Sequence, residues 1–261
     1  MVSVTQRISQ IKQPRGGYLP LSKFECIQLN DGVDLYPSEN VEGYLVGTVV
    51  DYLSRWKQFN DKEDAFHISM LGGIRSGREN ETHILLDNII DLSDDSLINA
   101  CRLVYFDAYT RGTFPSSDSY DGICPDHETC ENIRIMVDRV IDFFQDYGPV
   151  TEDGFHLYGG YSDIVDRGDG DFLTEDTVWD IKVLRKDPQS NKTLQLLMYY
   201  LMGKRSIDPN FSSVCYIGIY NPRLNRIHRL EVDKLDKGLI YTVETEVIGY
   251  SPKNVKTLDD F

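Results

Sequence analysis

The chain has no apolar run approaching the roughly 18 residues a membrane-spanning helix needs, so no helical span is expected. Its opening segment, MVSVTQRISQIKQPRGG, has no apolar core of the secretory type, which gives a cytoplasmic expectation. Cysteine is scarce and odd in number: Cys26, Cys101, Cys124, Cys130 and Cys215 are scattered along the chain. That pattern excludes a disulfide framework and implies reduced thiols. Gly159, Gly160, Gly168 and Gly170 form neither a dinucleotide fingerprint nor a phosphate-binding loop before a helix. Internal repeats, low-complexity segments and helicase motifs are also missing. Positive charge is in short supply, with 27 Lys and Arg against 42 Asp and Glu, a net charge of −15. A surface of that sign repels a phosphate backbone, which counts against an ordinary high-affinity DNA binder. Phosphate contact then requires a local basic patch.

The chain does have 261 residues and 41% hydrophobic content, enough for one sizeable domain over 1–261. Residues 1–38 read as irregular or weakly strand-forming, punctuated by Pro14, Gly16, Gly17, Pro20 and Pro37. Apolar spacings of three and four predict helices over about 41–58, 93–109 and 127–147. Ser93 stands where it would cap the second. Residues 61–88 are ambiguous. Residues 1–150 therefore form a mainly helical part, and 151–250 a core of different pattern. In that core, 155–165 reads as a strand, 171–183 as a tight hairpin and 192–203 as an apolar helix. Residues 214–220 and 226–232 read as a hairpin about Asn221–Asn225, and 236–248 as a last helix. Helices followed by strand, strand, helix, strand, strand give an α/β or α+β domain with helical N-terminal elements.

The stretch GDGDFLTEDTVWDIKV, 168–183, carries the chemistry. Counting outward from a turn at Glu175–Asp176 pairs Leu173 with Val178, Phe172 with Trp179 and Asp171 with Asp180. Opposed residues share a face, with Cβ atoms about 5 Å apart. Two facing carboxylates repel, and a divalent cation would offset the repulsion with oxygen ligands. Lys182 follows Asp180 by two residues and so shares its face. Two carboxylates and an ammonium on one face can bind a metal, activate water and stabilise a phosphorane-like transition state. Between 182 and 205 the basic residues are Lys182, Arg185, Lys186, Lys192, Lys204 and Arg205, and the only acid is Asp187. This is the local basic rim that phosphodiester binding needs.

An Asp, a hydrophobic strand carrying Asp-x-Lys, and a helix carrying Gln195 and Tyr199 four residues apart together resemble the PD-(D/E)XK nuclease superfamily, in its RecB-like branch. The resemblance covers about 155–232 and implies a central mixed sheet flanked by helices. It implies that Asp171, Asp180 and the Ile181 carbonyl bind Mg²⁺ or Mn²⁺, and that Lys182 positions or activates the water. Gln195 and Tyr199 would orient the site or touch the nucleic-acid backbone, beside Arg185, Lys186 and Lys192. Asp163, in Gly160-Tyr-Ser-Asp163, also fits the first carboxylate position, and Asp166 and Asp169 are close in sequence. The helix at 47–56 would pack beside the sheet, with Glu39, Glu42 or Asp51 as an extra acid. The implied substrate is DNA, single- or double-stranded, and the acidic bulk of the chain suggests that tight engagement needs recruitment by a protein partner or a restricted substrate.

Plainer readings compete. Asp-x-Lys alone is common at solvated strand edges. Cys124, His127 and Cys130 have the wrong spacing for zinc and lack a second ligand pair. The iron–sulfur cluster that some RecB-like nucleases hold with cysteines on both sides of the core is not expected, because only Cys215 lies downstream, in a strand read as buried. His67, His83, His156 and His228 are isolated, and Arg167-Gly-Asp169 is a coincidence. The competing functions are a non-catalytic acidic binding protein, mimicking nucleic acid or engaging a basic partner, and a structural role for a nuclease-like scaffold.

Overall fold

The computed structural model describes residues 1–113 and 119–251. The chain opens with β1 (Val2–Ser3) and α1 (Val4–Gln10). A capping box starts that helix: the Gln6 amide donates to the Ser3 hydroxyl and the Ser3 amide to the Gln6 side chain. With β2 (Glu25–Gln28), the first 38 residues are more regular than their punctuation predicts.

Next come α2 (Gly43–Phe59), α3 (Lys62–Ala65), α4 (His67–Ser76) and α5 (Glu79–Asp87). They are followed by α6 (Asp94–Val104), α7 (Asp107–Arg111) and α8 (His127–Tyr147). The helix expected over 93–109 is thus two helices. The second starts at the buried Asp107, whose carboxylate accepts hydrogen bonds from the Tyr52 hydroxyl at 2.7 Å and the Ser69 hydroxyl at 2.5 Å. Burial pushes the Asp107 carboxyl upward, and the hydroxyls oppose that shift.

The rest is β3 (Val150–Asp153), β4 (Val165–Arg167), β5 (Phe172–Thr174), β6 (Thr177–Ile181), α9 (Ser190–Gly203), β7 (Tyr216–Asn221), β8 (Arg226–Glu231) and α10 (Lys237–Thr242). A π-helical segment, Val243–Ile248, continues α10. The strand expected over 155–165 is not formed. Its residues turn at Gly159, whose φ of +87° suits glycine alone, and among the described residues sheet pairing is left at a His156–Asp169 bridge and at Val165, which opens β4. The strands flank it instead, as β3 and β4.

The chain divides into two compact units, one of residues 30–143 and one joining 1–29 to 144–261. The first is helical and packs Leu45, Val49, Leu53, Leu97, Ala100 and Val104 out of solvent. The second is a mixed α/β unit around a six-stranded sheet of order β2-β8-β7-β6-β5-β3. A separate parallel pair joins β1 to β4. Within the large sheet β6 and β7 are parallel and their neighbours antiparallel. The parallel pair needs a crossover, which α9 supplies.

Strand alternation sorts this sheet into two faces. Leu173, Val178, Ile217, Ile219 and Leu230 lie in one buried cluster with Leu194, Leu197, Met198 and Leu201 of α9. Each such side chain contributes roughly 1.5–3 kcal/mol on leaving water. The opposite face carries Trp179, stacked with Phe172 at 6.5 Å and met edge-on by Tyr147 at 5.7 Å. Gly218 pairs with Trp179 across β7, and a Cβ there would lie 2.2 Å from the indole ring. No helix among the described residues is long and apolar enough to cross a membrane.

Candidate active site

The hairpin pairs Phe172 with Trp179 and Leu173 with Val178, the register counted from the turn. Asp171 sits one residue before β5, Asp180 near the end of β6 and Lys182 just beyond it. Two residues on from Val178, Asp180 shares the face covered by α9. The three side chains converge. The Lys182 ammonium is 2.7 Å from Asp180 Oδ1 and 3.5 Å from Asp171 Oδ2. The Ile181 amide donates to Asp171 Oδ2 at 2.6 Å, fixing that carboxylate against β6.

Burial dominates the electrostatics. Asp180 is 1% exposed, and desolvation pushes its carboxyl up to about 7. The Lys182 ammonium opposes that rise, and the Asp171 carboxylate adds to it. For Lys182 burial works against the charged form, but Asp171 and Asp180 outweigh it and hold the ammonium well above its ordinary range. Lys182 therefore stays protonated at neutral pH.

These distances revise one step of the sequence argument. The repulsion between the carboxylates, expected to call for a divalent cation, is offset by Lys182 itself. A different observation bears on an ion. Asp180 Oδ2 is buried and has no hydrogen-bond partner among the described residues. An acceptor in that condition costs about 1–3 kcal/mol unless something takes its lone pairs. Among the described residues, no group of three or more His, Cys, Asp or Glu side chains could hold a metal. A Mg²⁺ site needs less from the protein, since this ion commonly takes one or two carboxylates and keeps several waters. Asp171 and Asp180 fit that kind of site.

The next layer comes from α9. Gln195 donates from Nε2 to the Tyr199 hydroxyl at 2.8 Å, and both side chains are buried. This answers the polar amide on an apolar helix: its partner lies one turn along. Burial, followed by Asp180, pushes the Tyr199 phenol up, so it remains a neutral hydrogen-bonding group. Lys192, in the first turn of α9, is half-buried. Burial lowers its pKa, Lys182 adds to that shift, and Asp180 and Asp171 oppose it.

Other candidates fall elsewhere. Asp163 is exposed at the tight turn that Ser162 closes onto Val165, and no hydrogen bond or ion pair among the described residues joins it to Asp180 or Lys182. Asp166 lies 3.5 Å from Arg167, and Asp169 Oδ1 lies 2.9 Å from His156 Nδ1. Glu39, Glu42 and Asp51 belong to the helical unit, where Asp51 pairs with Arg55 at 3.0 Å. The basic rim is smaller than its sequence count. Lys204 donates to the Phe211 and Ser212 carbonyls, and Arg205 pairs with buried Glu244 at 2.9 Å. Arg185 and Lys186 are exposed in the loop before α9.

One histidine read from the sequence as isolated stands in the site's cross-strand row. His228 pairs with Ile219, which pairs with Asp180, so it lies in the same cross-strand row. It is 3% exposed, its Nδ1 has no hydrogen-bond partner among the described residues, and burial lowers its pKa, leaving it neutral. Only the parallel register of β6 and β7 reveals this row, and no periodicity in the sequence encodes that register. No protein-family model matches the chain, and no curated protein or solved structure is similar enough to it to count as a match.

Proposed function

We propose that the protein is a divalent-metal-dependent nuclease of the PD-(D/E)XK type that hydrolyses phosphodiester bonds in DNA. The observation that carries this reading is the Asp171–Asp180–Lys182 trio with a buried, unpartnered oxygen on Asp180. Asp171, Asp180 and the Ile181 carbonyl would hold Mg²⁺ or Mn²⁺. When bound, such an ion neutralises charge developing on the phosphate and makes its water more acidic. The protein's own groups do the rest. The Lys182 ammonium, held protonated by two carboxylates, donates a hydrogen bond and orients the attacking water; it does not remove the proton. Water oxygen bonds to phosphorus as the bond to the leaving oxygen breaks; the proton that the water loses passes to solvent, solvent returns one to the leaving oxygen, and the negative charge grows within reach of Lys182. The Gln195–Tyr199 pair fixes the α9 face that closes the site, and Arg185, Lys186 and Lys192 meet the backbone.

The test is calorimetric titration of Mn²⁺ and Mg²⁺ into wild type, Asp180→Ala and Lys182→Ala, with cleavage of single- and double-stranded DNA assayed on the same samples. Wild type is expected to bind metal and cleave. Asp180→Ala is expected to do neither, and Lys182→Ala to lose cleavage by a factor of about 10² or more. Equal cleavage by all three proteins would refute the assignment. A second reading, an acidic partner-binding module on this scaffold, draws on one observation: Lys182 already offsets both carboxylates without an ion. It predicts no turnover with any metal, and partner binding that weakens steeply with salt.

A further inference from the structure

The pairing of β3 with β5 runs on past both strands. The Gly154 amide donates to the Asp171 carbonyl at 2.8 Å, the Gly170 amide donates to the Phe155 carbonyl at 3.1 Å, and His156 bridges Asp169. His156 therefore stands two residues beyond the partner of Asp171, roughly 7 Å along an extended segment. Its ring lies 5.2 Å from that of Tyr158, and Tyr158 meets Tyr161 edge-on at 6.1 Å. Tyr158 is 58% exposed. Ile207, whose amide donates to the Tyr158 carbonyl at 2.8 Å, is 81% exposed. Apolar groups gathered at one exposed place mark a binding surface, where single ones do not. The rings are held in place from behind. Tyr161 packs against the core, and its hydroxyl donates to the Gly168 carbonyl at 3.5 Å. Gly168 lies against Tyr199 of the site: a Cβ there would stand 3.6 Å from the phenol ring. The aromatic surface is thus continuous with the trio along the strand and with the Gln195–Tyr199 pair through Gly168.

Charge selects what sits on it. The Asp169 carboxylate, 2.9 Å from His156 Nδ1, and exposed Asp163, two residues after Tyr161, repel phosphate. A chain of net charge −15 also holds nucleic acid poorly by charge alone. A base offers a π-face without charge, and stacking on an aromatic ring supplies affinity that phosphate contacts do not. We propose that Tyr158, flanked by His156 and Tyr161, is a stacking platform for the unpaired bases of single-stranded DNA entering the site. That the strand is DNA and is cleaved rests on the nuclease reading above. The platform rests on the rings and their surroundings. It makes the preferred substrate single-stranded, because bases in a duplex already stack on one another and present no free face.

The experiment is metal-free binding, so that it does not depend on catalysis. A fluorescein-labelled single-stranded DNA is titrated in chelator with wild type, Tyr158→Ala and Tyr158→Phe at several salt concentrations, followed by anisotropy. The same strand with abasic sites in place of its central nucleotides keeps the phosphates and removes the bases. Wild type should bind the intact strand more tightly than the abasic one. Tyr158→Ala should lose about tenfold in affinity for the intact strand, the effect of one stacked base. Its salt slope should stay that of wild type, because no phosphate contact is removed. On the abasic strand it should match wild type. Tyr158→Phe keeps the ring and should bind as wild type does. An exposed side chain can be changed with little effect on stability, so both variants should fold. The proposal is overturned if wild type does not bind, or if wild type and Tyr158→Ala bind the intact strand equally, the result expected of a surface built for a protein partner. A shallower salt slope in Tyr158→Ala also overturns it, since that reports a lost phosphate contact. Cleavage with Mn²⁺ is measured separately. The loss in Tyr158→Ala without cleavage by wild type keeps the platform and removes the nuclease reading. Cleavage by wild type with binding unchanged in Tyr158→Ala does the reverse.

Discussion

A carboxyl group without a water shell prefers its proton, and Asp180 shows the consequence most directly. Its pKa, raised to about 7 by burial, leaves it largely protonated at slightly acidic pH in the ion-free protein. A metal ligand must be ionised, so ion binding there releases a proton. The folded-state value lies above the ordinary one, so protonated Asp180 favours the ion-free fold at low pH, and that advantage is lost as pH rises through about 7. Ion affinity runs the opposite way and should climb with pH. Mn²⁺ titrated by calorimetry is expected to bind about tenfold more tightly for each pH unit gained below 7, levelling off above it. An affinity independent of pH between 5 and 8 would show that Asp180 is not the ligand. At this scale much was legible beforehand. Alternation on a strand put Asp180 and Lys182 on one face, and counting from the Glu175–Asp176 turn brought Asp171 to them. The unpartnered oxygen was not legible, because hydrogen-bond satisfaction depends on every neighbour in space.

Elements were legible where a long apolar stripe was available to read. The helix expected over 127–147 is α8 residue for residue, and α9 begins two residues before its expected start. Reading failed where one glycine overrode an otherwise strand-like composition. Around Gly159 the backbone turns, and Gly160 approaches the Met202 carbonyl too closely to carry a side chain. Partner choice was equally hidden. An apolar run such as 214–220 announces a buried strand but not whether its neighbour is parallel. The actual pairing sets Gly218 beneath the Trp179 ring, and it makes β7 sensitive at that point. Alanine normally suits a strand better than glycine, yet Gly218→Ala must displace the indole. The expected cost is about 1–3 kcal/mol, read from the urea midpoint. A shifted near-ultraviolet signal should accompany it, because Trp179 also touches Phe172 and Tyr147. A variant as stable as wild type would show that the ring has room to move.

For the molecule as a whole, the net charge of −15 and the local cations of the site should respond to salt in opposite directions. Self-repulsion disfavours a compact state and is screened by added ions. Thermal midpoints are therefore expected to rise as sodium chloride increases from low to moderate concentration, while affinity for nucleic acid falls over the same range. Thermal scans and binding curves on one preparation test both. Midpoints that fell with salt would mean that favourable ion pairs outweigh the repulsion.

The larger organisation has a consequence for how the protein comes to exist. Ile27 of β2 pairs with Ile227 of β8, and residues 30–143 form a unit of their own between them. A ribosome adding about 5–20 residues per second leaves β2 waiting on the order of ten to forty seconds for its partner. During that interval the helical unit, continuous in sequence, emerges complete and can fold. The strand that finishes one edge of the sheet is thus made before the helical unit and can find its place only after it.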